Sequence, residues 1–248
     1  MINTISVVMI AKDAQETIQE TLESLVNFSE VILYLNASND ATQQIAENFE
    51  NVTIIQGEFI GFGDTKNKAT TYANNNWILS LDSDEVIPPT LVEELSGLKL
   101  HNPKELFILK RENYFLNQKI NYSGWGKDYL ARLYHKEYHA FNSNIVHEFI
   151  ESQEESIQNR LNAPFKHNAV SNINQFLHKV IKYSDLASKD KKTCSFLVVI
   201  AKAKFAFIKT YLLQLGFLDG WRGFVIAISN FNGKFFRYTK RYINCKNA

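Results

Sequence analysis

Cysteine is nearly absent from this chain: Cys194 and Cys245 are the only two in 248 residues, too few for a disulfide framework. Methionine is equally scarce, with 2 residues against 18 Phe and 11 Tyr, so any core must be built from aliphatic and aromatic side chains. No apolar run is long enough to cross a membrane cleanly, because Lys202, Lys204 and Lys209 interrupt the one that begins at Phe196. The chain has no internal repeat and no low-complexity tract. It enters a strand-like run at residues 5–10 with no signal peptide before it, and a cytoplasmic location is the expectation that follows.

What is present is the material of a folded protein, with 45% hydrophobic and 13% aromatic residues in 28.6 kDa. That size suits one large domain with an appendage better than two equal domains. The formal charge of +1 conceals a strong asymmetry. Through Leu186 there are 15 Lys and Arg against 24 Asp and Glu, a net of −9; from Ala187 onward there are 12 against 2, a net of +10. Basic, aromatic tails of this kind meet nucleic acid or anionic membrane surfaces, and no nucleic-acid-binding module is recognisable here.

The first hundred residues alternate in a βαβα rhythm that predicts a mainly parallel sheet covered by helices. Strands are expected at 5–10, 31–35, 52–56, 77–81 and 106–110, with helices at 17–26, 41–49, 64–76 and after Pro89. Ile18, Leu22, Leu25 and Val26 fall on one face of the first helix. Residues 1–170 form the expected first domain, in two parts that divide at about residue 100. Residues 171–248 form a helical, basic extension. There Phe231, Phe235, Tyr238 and Tyr242 make an aromatic stripe beside Lys234, Arg237, Lys240 and Arg241. That stripe suits either packing on the first domain or a membrane-surface helix.

The most informative stretch is WILSLDSDE, an apolar run ending in three carboxylates. It carries Asp82, Asp84 and Glu85 to the carboxyl edge of a sheet, where open α/β folds place their ligands. If the backbone stays extended, Asp82 and Asp84 point the same way and can share a Mg²⁺ or Mn²⁺ ion; the alternative is a solvated acidic turn before Pro88 and Pro89. The segment GFGDTKNK fits neither a Walker loop nor a dinucleotide fingerprint. It does set Lys66, Asn67 and Lys68 in the first turns of a helix, where they can reach a nucleotide or form a solvated face. Farther on, Trp125 offers a stacking platform for a sugar, and Asp128 a general base for an acceptor hydroxyl. Asp128 could instead pair with Arg132. His147 and Glu148 add an imidazole and a second carboxylate, and His147 can complete a metal site with Asp84 or play a structural part.

Together these segments resemble glycosyltransferase family 2 and, within it, the lipopolysaccharide-core β-1,4-glucosyltransferase group. The resemblance runs from Ile5 to about residue 190. It is carried by SVVMIAKDAQETIQETLESL, EVILYLNASNDAT, GFGDTKNKA, WILSLDSDE, KRENYFL, the stretch 125–134 and VHE, in that order. It implies a GT-A fold, a nucleotide-diphosphate sugar donor with UDP-glucose expected, a divalent metal, and inversion at the anomeric carbon. Carried over to this chain, Ala11, Asp13, Asn36, Asp40, Lys66, Asn67, Asp82 and Ser83 line the donor site. Asp84, Asp82 and His147 hold the metal; Trp125 and Arg132 bind the acceptor; Asp128, or second Glu148, is the base. Related sequences carry acids where this chain has Ala14 and Leu35, which leaves the nucleoside to Asp13, Asn36 and backbone groups. The expected acceptor is an inner-core sugar of a lipid-anchored oligosaccharide, met at the inner face of the cytoplasmic membrane. The alternatives are a polyprenyl-phosphate or other surface-glycan transferase, or a non-catalytic sugar- or membrane-binding protein.

Overall fold

The computed structural model describes residues 1–144, 148–188, 192–193 and 195–247. In chain order these form β1 (Ile5–Ala11), α1 (Ile18–Glu23), β2 (Val31–Leu35), α2 (Thr42–Ala46), β3 (Val52–Gln56), α3 (Phe62–Thr70), β4 (Trp77–Asp82), β5 (Glu85–Val86) and α4 (Pro89–Ser96). There follow β6 (Glu105–Phe115), β7 (Gln118–Lys119), β8 (Asp128–His135), β9 (Ile157–Arg160), β10 (Phe165–Val170), α5 (Ile173–Leu186), α6 (Phe196–Ile208) and α7 (Gly220–Lys246). The chain divides into two compact units. One comprises Met1–Glu112 with Asp128–Asn168; the other takes in Asn113–Lys127 and the chain from Ala169 onward.

In the first unit the sheet runs β3-β2-β1-β4-β8-β6-β10-β5. The expected parallel order holds for its first four strands, after which β4 with β8, β8 with β6 and β10 with β5 pair antiparallel. Every residue of β1 and β2 is buried, the continuous apolar pattern of strands covered on both faces. The core clusters lie on the two faces: Ile18, Leu22 and Leu91 pack with one set of strand residues, Ala69, Ala73 and Phe141 with the other.

Three helices end earlier than their periodicity predicts, α2 among them at Ala46. α1 stops at Glu23, so Leu25 still reaches the core from the following turn while Val26 points to solvent, 53% exposed. α3 starts at Phe62 and stops at Thr70. Its Gly63 is required by close approach, since a Cβ there would sit 1.8 Å from the Asn142 carbonyl oxygen.

The second unit is largely helical. Phe115, Ile120, Val170 and Ile226 form its core, with Trp125 and Phe176 packed against them. The Asp219 carboxylate accepts the backbone N–H groups of Asn121 and Tyr122 and the Ser123 hydroxyl at 2.7–3.1 Å. The aromatic stripe of α7 is half-buried: Phe231 stacks on Phe235 with centroids 6.1 Å apart, and Tyr242 lies 5.5 Å from Phe196. Cys245 is disulfide-bonded, a single cross-link and not a framework, and Cys194 lies outside the described residues. No helix among the described residues is long and apolar enough to cross a membrane.

Candidate active site at the carboxyl edge of the sheet

β4 delivers Asp82 to the sheet edge, and the chain then turns at Ser83 and Asp84 before pairing again as β5. The turn breaks the alternation expected of an extended DSD segment, so the two aspartates do not share one direction. The Asp82 oxygens take Lys66 Nζ at 2.8 Å and Arg132 Nη2 at 2.9 Å. Asp84 Oδ2 instead lies 3.5 Å from His167 Nε2, and its carbonyl accepts the Asn168 N–H at 2.9 Å. The Ser83 carbonyl accepts the Thr21 hydroxyl at 3.0 Å, tying the turn to α1.

These contacts belong to one ionic chain. Lys66, buried on α3, bridges Asp82 to Glu148, its Nζ 3.1 Å from Oε1, and lies over the Phe141 ring. Arg132 bridges Asp82 to Glu85, and Glu85 also lies 3.3 Å from Arg111 Nη1. Arg111 in turn holds Asp128 through Nε and Nη2, both 2.9 Å from Oδ2. Residues 128 and 111 are register partners in adjacent strands, which brings them together. The expected alternative pairing of Asp128 with Arg132 does not form, because both sit in β8, a strand whose fourth residue onward is about 13 Å away.

Burial and charge set the protonation of this edge. Burial alone would raise the Asp82 pKa, but Lys66 and then Arg132 hold it well below the usual carboxylate range. Glu85 shifts the other way: burial raises it and the Asp82 charge adds to that, against the pull of Arg132. Arg132 is raised by Glu85 and Asp82 despite its burial. A carboxylate depressed in the folded state contributes stability above its unfolded pKa that is lost as pH falls through its folded pKa. Wild-type protein should therefore lose stability in acid relative to Asp82→Asn, read as the difference between their urea midpoints from neutral pH to below the ordinary carboxylate range. Equal slopes would show that Asp82 is not held by these cations.

Arg132 is 4% exposed and compensates two carboxylates. Arg132→Met takes one cation from each, leaving Lys66 on Asp82 and the longer contact of Arg111 on Glu85, and should cost about 3 kcal/mol, the low end for a broken buried pair, seen as a drop in the thermal midpoint. An unchanged midpoint would mean the pairing does not hold the edge together.

The remaining expected donor residues fall at the ends of β1 and β2. Ala11 closes β1 with its carbonyl accepting the Asn36 N–H at 3.1 Å, and Asn36 Oδ1 is buried with no hydrogen-bond partner. Asp13 and Ala37 adopt φ values of 50° and 48°, a strained conformation for residues with a Cβ that concentrates at ligand-binding loops. Asp13 Oδ1 accepts the Asn39 N–H at 2.8 Å, and Asp40 accepts the N–H groups of Gln15 and Thr42 at 3.0 Å, so both brace one loop against the other. Asn67 is a brace too. Its amide donates to the Phe141 carbonyl and accepts the Phe141 N–H at 2.8 and 2.9 Å, and Phe141 pairs with Ile150 in the segment that carries Glu148.

Trp125 belongs to the second unit, its ring 6.4 Å from that of Phe115. His147 lies outside the described residues. Reading the sequence missed His167, Arg111 and the central position of Glu85. For His167 no local signal exists, since only the register of β10 against β5, with His167 opposite Glu85, brings it to Asp84. Among the described residues no group of three or more His, Cys, Asp or Glu is arranged around a common metal position. The Asp84 carboxylate and the His167 imidazole, 3.5 Å apart, are one oxygen and one nitrogen donor, a pair that suits Mn²⁺ better than the oxygen-seeking Mg²⁺, whereas Asp82 is engaged by two cations.

Comparison with known proteins bears on the family of the chain. The family described as Glycosyl transferase family 2 matches residues 6–154. Uncharacterized glycosyltransferases of Rickettsia prowazekii and Rickettsia typhi are each 25% identical over 256 residues, covering 95% of this chain and 86% of theirs. Among solved structures, S. aureus TarS 1-349 in complex with UDP covers 99% of this chain and 92% of its own at 15% identity and a TM-score of 0.48. Glucosyl-3-phosphoglycerate synthase from Mycobacterium tuberculosis, solved with Mn²⁺ and UDP, covers 45% of this chain and 44% of its own at 23% identity and a TM-score of 0.37. Neither structural likeness is close enough to carry donor or metal across.

Proposed function

Because the chain belongs to glycosyl transferase family 2, we propose that this glycosyltransferase moves a hexose, glucose in the first instance, from a uridine-diphosphate sugar to a sugar of a lipid-anchored oligosaccharide, with inversion. The observation that carries the reading is the ionic chain at the carboxyl edge, where one buried lysine joins Asp82 to Glu148. The nucleoside would lie over the ends of β1 and β2. There the orphaned Asn36 amide oxygen supplies an acceptor for an imide N–H such as that of uracil, in place of the acids absent at Ala14 and Leu35. Asp84 and His167 are the residues that would hold a divalent cation, whose positive charge would offset that developing on the leaving diphosphate.

The chain's own groups account for the proton and the orientation. Glu148 keeps one carboxylate oxygen on Lys66 and presents the other for an acceptor hydroxyl. As that hydroxyl oxygen bonds to the anomeric carbon, its proton passes to Glu148 and the bond from that carbon to the diphosphate oxygen breaks. Asp128, with Arg111 on one oxygen, is the rival base. Lys66 places a buried cation beside the diphosphate end of the site and fixes both carboxylates in register. The +10 segment from Ala187 onward supports an acceptor met at an anionic membrane face, on the cytoplasmic side where nucleotide sugars are available. Transfer to a panel of lipid-linked and soluble glycan acceptors tests the proposal. Transfer to a polyprenyl phosphate alone would move the acceptor to the other class considered for this chain.

A further inference from the structure

α7 carries a stripe of residues at positions 223, 227, 230, 234, 237 and 241, recurring at helical spacing. Its first part packs: Gly223 and Ala227 are buried, and Asn230 Nδ2 donates to Thr210 Oγ1 at 2.8 Å. α6 runs antiparallel along it, with Phe207 5.9 Å from Phe224 and Phe196 5.5 Å from Tyr242. The same packing stripe then continues as Lys234, Arg237 and Arg241, while α6 and the turn after it add Lys202 and Lys209.

A seam of cations between two helices needs counter-charge, and among the described residues no carboxylate forms an ion pair with Lys234, Arg237 or Arg241. From residue 192 to 247 the sequence holds one acid, Asp219, which is spent on the 121–123 segment. Arg241 donates to the Ala187 carbonyl, yet Arg237 Nε and Arg241 Nε are buried without any hydrogen-bond partner. Burial, and then the charges of Arg237, Arg241, Lys209 and Lys202, press the Lys234 ammonium below its ordinary pKa. By contrast Lys240, off this stripe, is neutralised by Asp185 and bonded to the Ser184 hydroxyl. Beside the seam α6 and the turn after it expose Leu197, Phe205, Ile208, Leu212 and Leu213, with Leu197 at 78% and Leu213 at 67%. A free anion would leave that apolar rim in water, whereas a lipid phosphate brings acyl chains to cover it.

We propose that the α6–α7 seam is a phosphate site for an anionic membrane lipid, with the exposed aliphatic side chains of α6 and its following turn lying among the headgroups. The proposal deepens the reading of the basic segment as facing an anionic membrane and rests on it, but it uses no step of sugar transfer, so vesicle binding and catalysis can fail separately.

The experiment compares sedimentation of the full chain with vesicles of phosphatidylcholine and with vesicles containing phosphatidylglycerol, and adds inorganic pyrophosphate in a separate arm. Wild-type protein should bind only the anionic vesicles, less so as salt rises. Lys234→Met with Arg237→Met should lower that partition about thirtyfold, from the contribution of two basic residues at such a surface. Lys240→Met should lower it far less. The double variant should melt no lower than wild type, because it removes like charges that repel, whereas a structural role for these side chains would lower the midpoint. Three results would overturn the proposal: partition unchanged by the double variant, a thermal shift with pyrophosphate and no binding to anionic vesicles, or self-association of the chain that the same substitutions abolish.

Discussion

Asp84→Ala should abolish sugar transfer, by about a thousandfold or more, while the protein keeps its thermal midpoint and its far-ultraviolet spectrum. Asp84 sits in the turn between β4 and β5, and its side chain looks toward His167 and not into the core. The bond from the Asn168 N–H to the Asp84 backbone carbonyl survives the substitution and keeps the turn, whereas the proposed metal pair loses its only carboxylate. Chelation of wild-type protein should reproduce the loss, and Mg²⁺ or Mn²⁺ should restore wild-type activity but not that of the variant. His167→Ala should weaken the metal response without the complete loss. Asp82→Ala should behave differently, releasing Lys66 and Arg132 and damaging stability as well as turnover. If Asp84→Ala turned over normally, the metal assignment would be wrong, whatever the state of Asp82.

Glu148→Gln is the second large effect, with a loss of about 10²–10⁴ in kcat and little change in donor affinity. The glutamine is close to isosteric and can still accept from Lys66, so the segment stays in place while the group loses its capacity to take a proton. Asp128→Asn is the companion variant. Arg111 holds that carboxylate through two nitrogens, so its substitution should perturb the edge more than the chemistry. A collapse of kcat in Asp128→Asn with normal turnover in Glu148→Gln would return the base to Asp128.

The central strands were legible because β1, β2 and β4 are nearly unbroken apolar runs, a pattern that a strand covered on both faces requires and that turns interrupt sharply. Helix ends were less so. The periodic signal of α1 runs on to Leu25, but that side chain reaches the core from a turn, and nothing local distinguishes the two cases. At the site, WILSLDSDE does run to a strand end at Asp82, and Lys66 does lie on a helix, its ammonium against that carboxylate. The partners of those residues were not legible, because they depend on register between distant strands. Arg111 meets Asp128, and Arg132 rather than Lys66 alone meets Asp82, only once β8 is laid against β6 and β4. The excursion Asn113–Lys127 shows the same limit on a larger scale, since Trp125 lies three residues from Asp128 yet packs in the other unit.

The most direct test is release of nucleoside diphosphate from a panel of nucleotide sugars, run with Mg²⁺, Mn²⁺ or chelator. A family 2 glycosyltransferase built on this edge should hydrolyse one donor class slowly without an acceptor, with a uridine-diphosphate hexose foremost, and should stop in chelator. Turnover of no nucleotide sugar under any of these conditions, or turnover indifferent to chelator and to Asp84→Ala alike, would contradict the assignment of the carboxyl edge as a metal-assisted sugar-transfer site.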